Sequence, residues 1–437
     1  MKGDHLHIVD SRTSREYNIP IDDGFVRAAD LSVIKAPETS TGYAEDVREQ
    51  PLRVFDHGLQ HTACVESSIT LIDGYRGDIQ FRGMSIEKLF RENDHDDVMH
   101  LLIWGSLPAQ EEKIAMRAAL ARHMNPPDEV RAVISAFPCD ADMSSMIVAG
   151  LSAYACTDTE AIAARHKPEP AFHGKQKATD DAVIRTIAFS ATVYALVHCH
   201  RNDISFVPPQ PHQSLLANLL TMMGLEVSDD RSTPAGRRLH CLQRLWILYA
   251  DHEMANSTSS CLLTASTLTD PISSISAMVL SCAGPLHGGA IELGYEVLEM
   301  IGSPENVPAY IEGVKAKKFR LFGYGHRVYT TKDPRAVLLA ELIKEHEDLI
   351  LANPLLSVAF SIDKIADTDP YFVQRKLKAN VELFVCFLYM AFGFQRDLLS
   401  GLILNSRIPG VMAHWREAMG QPIKLWRPRA KFGGRAW

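Results

Sequence analysis

The chain has 437 residues, 46% hydrophobic and 22% charged, the balance of a soluble globular protein with a substantial core. Its formal net charge of −8 argues against a general nucleic-acid or anionic-membrane role. The eight cysteines are scattered with no Cys-x-x-Cys pair, which points to thiols in a reducing compartment rather than to a disulfide framework.

Up to about residue 60 the chain is polar and punctuated by Pro and Asp, with short extended pieces at HLHIVD and REYNIPI. SSITLIDGYRGDIQFRG then predicts a β-hairpin, its β-rich runs flanking a Gly/Asp turn cluster. From SIEKLFRENDHDDVMHLLIWGSLP onward apolar residues recur at three- and four-residue spacing, and the pattern closes on Gly and Pro. Further helical patterns follow at EEKIAMRAALARHM, DAVIRTIAFSATVYALVHCH, HQSLLANLLTMMG, RRLHCLQRLWILYADHEM, AVLLAELIKEHEDLI and VELFVCFLYMAFGF. RHKPEPAFHGKQKATDD (165–181), polar with two prolines, is expected to be an exposed loop or linker. The fold class is therefore mainly α, with a few short strands near the N-terminus. The tail from Gln421 carries Lys424, Arg427, Arg429, Lys431 and Arg435 and no acid, as a solvated end or an anion site would. With no secretory signal, peroxisomal address or apolar stretch near the ~20 residues of a membrane span, a cytoplasmic location is expected and a mitochondrial one is left open.

Most of the 18 histidines are expected to be surface or core residues. The HCH at 198–200 is a poor metal site, because residues two apart on a helix do not share a face. Three others have unusual neighbours. His252 lies in YADHEMANSTSS, where an amphipathic helix meets a Ser/Thr/Asn-rich stretch. His287 lies in GPLHGGA, before a helix start whose free N–H groups favour a neutral imidazole and an anionic ligand. His326 lies in LFGYGHRVYTTKDPRA, followed by Arg327 and Arg335. Together with the arginines at 335, 407 and 427 they suggest a pocket for a small polyanion with imidazoles to polarise it. A further oddity is Glu382, a lone carboxylate heading an otherwise apolar run to Phe394.

The ordered blocks DHEMANST, GPLHGGA, GYGHRVYTTKDPRA, KLKANVELF and RPR resemble those of the citrate synthase family, and the resemblance covers nearly the whole chain. HLLIWGSLP and GPLHGGAIE look most like the citrate synthase-like and alkylcitrate synthase-like enzymes of fungi, some of which serve secondary metabolism. The resemblance implies a mostly helical homodimer. Each subunit would have a large domain (1–288 and 394–437) and a small one (289–393) that closes over the substrates, oxaloacetate and an acyl-CoA. It implies no tightly bound cofactor, acyl-CoA being a co-substrate, and no metal. It places His252, His326, Arg335 and Arg407 on oxaloacetate, with Arg427 contributed to the partner subunit's pocket. His287 would hydrogen-bond the thioester carbonyl as it becomes an enolate, His326 would polarise the keto carbonyl, and Glu382 would be the general base. The backbone of Leu321, Phe322, Gly323, Tyr324 and Gly325 would cradle the adenine end of CoA, and Lys332 would meet a CoA phosphate. The residue types suit this chemistry: a carboxylate can deprotonate a thioester α-carbon only with a donor on the forming oxyanion, and arginine forks match carboxylates.

The chain departs from the family pattern at the base. The family carries an aspartate in a motif like PNVDFYSG, where this chain reads ANVELFVC: Glu382 replaces the aspartate, and Val385–Cys386 the usual Ser-Gly. Three readings stay open: a pocket reshaped for another acyl chain, a slower ordinary citrate synthase, or a binding protein without catalysis. The first is preferred because the neighbours changed with the base and the apolar run could line an acyl pocket; the bland alternative is that Val385 and Cys386 merely pack in a helix. The expected activity is acyl-CoA:oxaloacetate C-acyl transfer with a longer acyl chain, against alternatives using acetyl- or propionyl-CoA or a non-catalytic CoA/dicarboxylate binder. Asn256 is displaced by one position from the family's asparagine, and Thr330 stands where a basic residue often follows HRVY.

Overall fold

The β-rich runs early in the chain pair with their sequence neighbours, as short connections favour. A computed structural model describes residues 3–37, 49–326, 328–422 and 424–431; Arg327 and Arg435 lie outside the described residues. The chain divides into two compact units, one made of residues up to Glu66 with those from Arg427, the other running from Ser67 to Trp426. In the first, His5–Asp10 and Arg15–Pro20 form an antiparallel hairpin with His5 opposite Pro20. Lys35–Pro37 pairs with Glu49–Pro51, and Lys431 of the C-terminal tail sits over the Phe55 ring, 5.8 Å from its centroid.

The second unit opens with the expected hairpin, Thr70–Asp73 against Asp78–Phe81 with Thr70 opposite Phe81, and Met84–Ser85 adds a third strand. The rest is helical. The single periodic pattern read across 85–108 is two helices, Ile86–Glu92 and His95–Trp104. Asp94 makes a capping box with Asp97, which starts a new helix where the old one ends. The loop expected over 165–181 is shorter, because the helix Gln176–Asn202 begins inside it. A Lys177–Asp181 pair one turn apart supports its polar start. That helix is long and apolar enough to cross a membrane, yet 89% of its most apolar window is buried in this unit, so it is a core helix. Leu399–Gly420 packs against it.

Loops between these helices carry the candidate histidines. Pro234–Tyr249 ends just before Asp251, so His252 falls in the turn leading to Asn256–Ala265. His287 lies between Pro271–Cys282 and Ala290–Ile301. His326 precedes Pro334–Glu345, a helix capped by Asp333 and begun by Pro334, whose fixed φ suits a first turn.

The His326 loop is clasped to the segment that leads into Glu382–Ala391. Tyr324 and Ala379 form an antiparallel bridge. Asn380 N–H donates to the Gly323 carbonyl at 2.9 Å, and Gly325 N–H donates to the Lys378 carbonyl at 2.8 Å. Asn380 Nδ2 donates to the Gly325 carbonyl (3.0 Å) while its Oδ1 accepts from Glu382 N–H (3.0 Å), so one side chain ties both segments together. At the other end of the loop, Thr330 N–H donates to the Gly74 carbonyl (3.0 Å), which braces it on the hairpin tip. Gly323 has φ +76°, and a Cβ there would stand 2.7 Å from Leu383 Cβ, so neither dihedral nor space admits a side chain. Gly323→Ala is therefore expected to lower stability by about 2 kcal/mol or more, and Asn380→Ala by about 1–2 kcal/mol. Urea unfolding midpoints measure both, and a wild-type midpoint for Gly323→Ala would refute the clasp.

Candidate active site

A guanidinium out of water needs an anion or a full set of acceptors. Two are buried here in sequence-distant elements, Arg335, 3% exposed, and Arg407, 9% exposed, and the charge of the first acts on the second. Asp333 holds Arg335 bidentately, Nε to Oδ1 at 3.1 Å and Nη2 to Oδ2 at 2.8 Å. Burial works against the Arg335 charge, but Asp333 outweighs it and holds the pKa up. Arg407 is less compensated. Its Nε donates to the Tyr249 carbonyl, and among the described residues it makes no ion pair. Burial lowers its pKa, with Asp251 working the other way. A buried fork left without a carboxylate is a site for one supplied by a ligand.

The three singled-out histidines converge around these arginines. His252 and His326 meet edge to face with centroids 5.2 Å apart, and both touch the Tyr329 ring. The Tyr329 hydroxyl is 2.9 Å from His252 Nε2. Burial, then Arg335 and Arg407, push His252 well below its ordinary pKa. Burial and Arg335 bring His326 down to about 4. Burial and Arg407 bring His287 down to about 4 as well. All three imidazoles are thus neutral near pH 7. The tautomers of His326 and His287 follow from their partners. Val328 N–H donates to His326 Nδ1 (3.1 Å), which leaves the proton on Nε2. Ser257 N–H donates to His287 Nε2 (3.3 Å), and the Ser257 hydroxyl lies 2.8 Å from the same atom, which leaves the His287 proton on Nδ1. Each therefore offers one N–H donor.

Glu382 opens its helix, half-buried, and among the described residues its carboxylate makes no ion pair. Burial raises its pKa; Arg335 pulls it down, Asp333 raises it, and its own backbone N–H and Arg407 lower it, with burial prevailing. That is an available base beside a cationic pocket. Val385 and Cys386 are both fully packed, at 0% and 1% exposed, and burial pushes the Cys386 thiol up to about 12. They fill the core and open onto no space. Phe384 instead lines a groove of about 260 Å³, which runs from Lys332 past Leu339 and Ile343 over Phe360, with Ala379 as another wall.

The remaining sequence-predicted residues fall in several places. The backbone of Leu321–Gly325 is partly committed to the clasp described above, and the Tyr324 hydroxyl donates to the Asp363 carboxylate. Arg320 covers the Phe322 ring at 5.3 Å. Lys332 is exposed at the groove. Arg427 is exposed and belongs to the other compact unit. Asn256 accepts from the Ser281 hydroxyl, and Thr330 is engaged with Gly74. Sequence reasoning missed Ser257, Tyr329, Asp333, Asn380 and Asp251. Only Asp333 had a readable signal, an Asp-Pro helix start with an arginine one position later.

Residues 58–429 match the family model of the citrate synthase C-terminal domain. The chain is 49% identical over 430 residues to a citrate synthase-like protein of a Phoma species, covering 98% of this chain and 90% of that one. It is 37% identical over 429 residues to the alkylcitrate synthase tstJ of Talaromyces stipitatus, covering 98% and 94%. Among solved structures it is similar to citrate synthase from Thermoplasma acidophilum in ternary complex with carboxymethyl-coenzyme A and oxaloacetate. That likeness has a TM-score of 0.77 at 26% identity over 87% of this chain and 96% of that one. With neutral imidazoles, buried arginines and a lone carboxylate occupying the matching blocks, the chain belongs to the citrate synthase family.

Proposed function

We propose that the protein joins the α-carbon of an acyl-CoA longer than acetyl-CoA to the keto carbon of oxaloacetate, as an alkylcitrate synthase. The observation that carries the reading is Glu382: an unpaired, pKa-raised carboxylate set against two buried arginines and three neutral histidines. Arg407 and Arg335 take the oxaloacetate carboxylates, and His252 lies beside them. Glu382 removes a proton from the thioester α-carbon while His287 Nδ1–H stabilises the enolate oxygen. The carbanionic carbon attacks the ketone, and His326 Nε2–H supplies the proton to the alkoxide. Water then cleaves the thioester, releasing CoA and the tricarboxylate. In the same reading two copies associate, Arg427 of the partner subunit completes the pocket, residues 289–393 close over it, and Lys332 meets a CoA phosphate.

The longer chain is supported by the apolar groove whose walls include Ala379 and Phe384, which flank Glu382 in sequence, and by the likeness to named alkylcitrate synthases. On this reading the tricarboxylate serves secondary metabolism. CoA release with oxaloacetate, assayed over acyl-CoA esters from acetyl to long unsaturated chains, is expected to peak beyond propionyl. A peak at acetyl- or propionyl-CoA would overturn the longer-chain reading, and no release with any ester would overturn the condensation itself.

Glu382→Gln is expected to lower kcat by at least ~1,000-fold while oxaloacetate binding stays within about twofold. Retained turnover would place the base elsewhere. The pH profile follows from the raised Glu382 pKa: the base is active above that pKa, and kcat falls as pH drops through it. The acid limb should therefore lie above the ordinary glutamate range of ~4.3, with His287 and His326 still neutral there because their pKa values are about 4.

A further inference from the structure

Beneath the pocket lies a second cluster that the reaction as derived leaves unused. Asp251 joins the helix Pro234–Tyr249 to His252, and its carboxylate is 0% exposed. Its Oδ2 accepts from the Thr70 hydroxyl at 2.6 Å, Glu253 N–H at 2.9 Å and His414 Nε2 at 3.2 Å. Its Oδ1 is buried with no hydrogen bond among the described residues. His414, 2% exposed, is on Leu399–Gly420 seven residues after Arg407, so the two lie on one face. Between them Gly410 lets the helix close on this turn: a Cβ there would stand 2.2 Å from the Ala250 carbonyl and 2.8 Å from Asp251 Oδ1.

A buried carboxylate flanked by an arginine and a histidine on one helix face can pair with either. In this structure it is bonded to His414, although its charge reaches Arg407. Asp251 also keeps the His414 pKa up against burial; Glu417 adds to that and Arg82 opposes it.

We propose that His414 is a positioning residue for the substrate: it holds Asp251 as its own ion pair, and so keeps the Arg407 fork free for a carboxylate of the dianionic keto acid. Without that cation, Asp251 would be a buried, underpaired anion drawn to Arg407, whose charge already acts on it, and would compete with substrate for the same guanidinium. The inference rests on Arg407 binding a substrate carboxylate, as proposed above, and adds the residue that keeps it available.

The test is a double-variant cycle on the full chain, with oxaloacetate binding measured by calorimetry and KM measured separately for oxaloacetate and acyl-CoA. His414→Gln retains a donor for Asp251 and removes the charge. It is expected to weaken oxaloacetate binding by roughly tenfold or more, with acyl-CoA KM within about twofold. Adding Asp251→Asn, which removes the competing anion, is expected to restore oxaloacetate affinity to within about threefold of wild type. A merely structural pair predicts the opposite, a double variant weaker than either single one, and that result would overturn the proposal. Unchanged oxaloacetate affinity in a folded His414→Gln protein would overturn it equally. Wild-type protein that binds no oxaloacetate at all would remove the substrate reading and this inference together, whereas wild-type binding with no recovery in the double variant removes the inference alone.

Discussion

Two guanidiniums held out of water are the constraint on which the rest of the site depends. Each costs several kcal/mol to bury unless it is paired, and each raises the cost of the other. The fold treats them differently. Arg335 has Asp333, two residues away at a helix cap, in a bidentate pair. Arg407 has a backbone carbonyl and a carboxylate committed to His414. The pocket therefore keeps uncompensated positive charge, and that field is part of what holds His252, His287 and His326 neutral, since protonating any of them adds another cation. Neutrality alone would leave the donor nitrogen undefined. Backbone N–H groups of Val328 and Ser257 occupy one nitrogen each on His326 and His287, and so assign the proton to the other.

Glu382 sits between opposing effects. Burial disfavours its charge, while the arginines and the N-terminal turn of its helix favour it. Had the arginines prevailed, the carboxylate would be a weak base locked in an ion pair. Burial prevails, and the group stays basic and unpaired. Its backbone has little freedom, because Asn380 fixes the Glu382 N–H and the His326 loop in one set of bonds. With the backbone held, the reach of the base is set by side-chain length. A glutamate places its carboxylate one methylene further out than an aspartate, and a misplacement near 1 Å costs ~100-fold in rate. On the proposed reading, the substrate carbon then sits correspondingly further from the helix start.

Much of this was legible in the chain itself. Three- and four-residue periodicity located the helices, and the Gly/Asp cluster at 73–78 located the hairpin. The histidines stood out because glycines or a Ser/Thr-rich stretch surrounded them at helix ends, where backbone donors are unsatisfied. The failures have a common cause. The break at Asn93–Asp94 depends on a cap that competes with an otherwise continuous pattern. The start at Gln176 is polar enough to read as loop. Asn380 and Asp251 act through partners 55 and 163 residues away, Gly325 and His414. No local pattern reports contacts of that separation. Ser257 and Tyr329 likewise meet their partners, His287 and His252, across 30 and 77 residues.

The packing of Val385 and Cys386 also bears on how a longer acyl chain would lie. Residues three and four after Glu382 share its side of the helix, and both are fully packed. The side of the helix below the base is therefore closed core, with no room for a chain to run down it. Phe384, two residues on, is turned about 200° away from Glu382 and lines the groove. Ala379, just ahead of the helix, lines it too, as does Lys332 just ahead of Asp333. On the proposed reading, an acyl chain leaving the reacting carbon has to cross the starts of the two helices, between Ala379 and Lys332, to reach apolar surface. Chain selection would then rest on the small residue Ala379 and the clasp beside it, and the apolar run after Glu382 would serve the core.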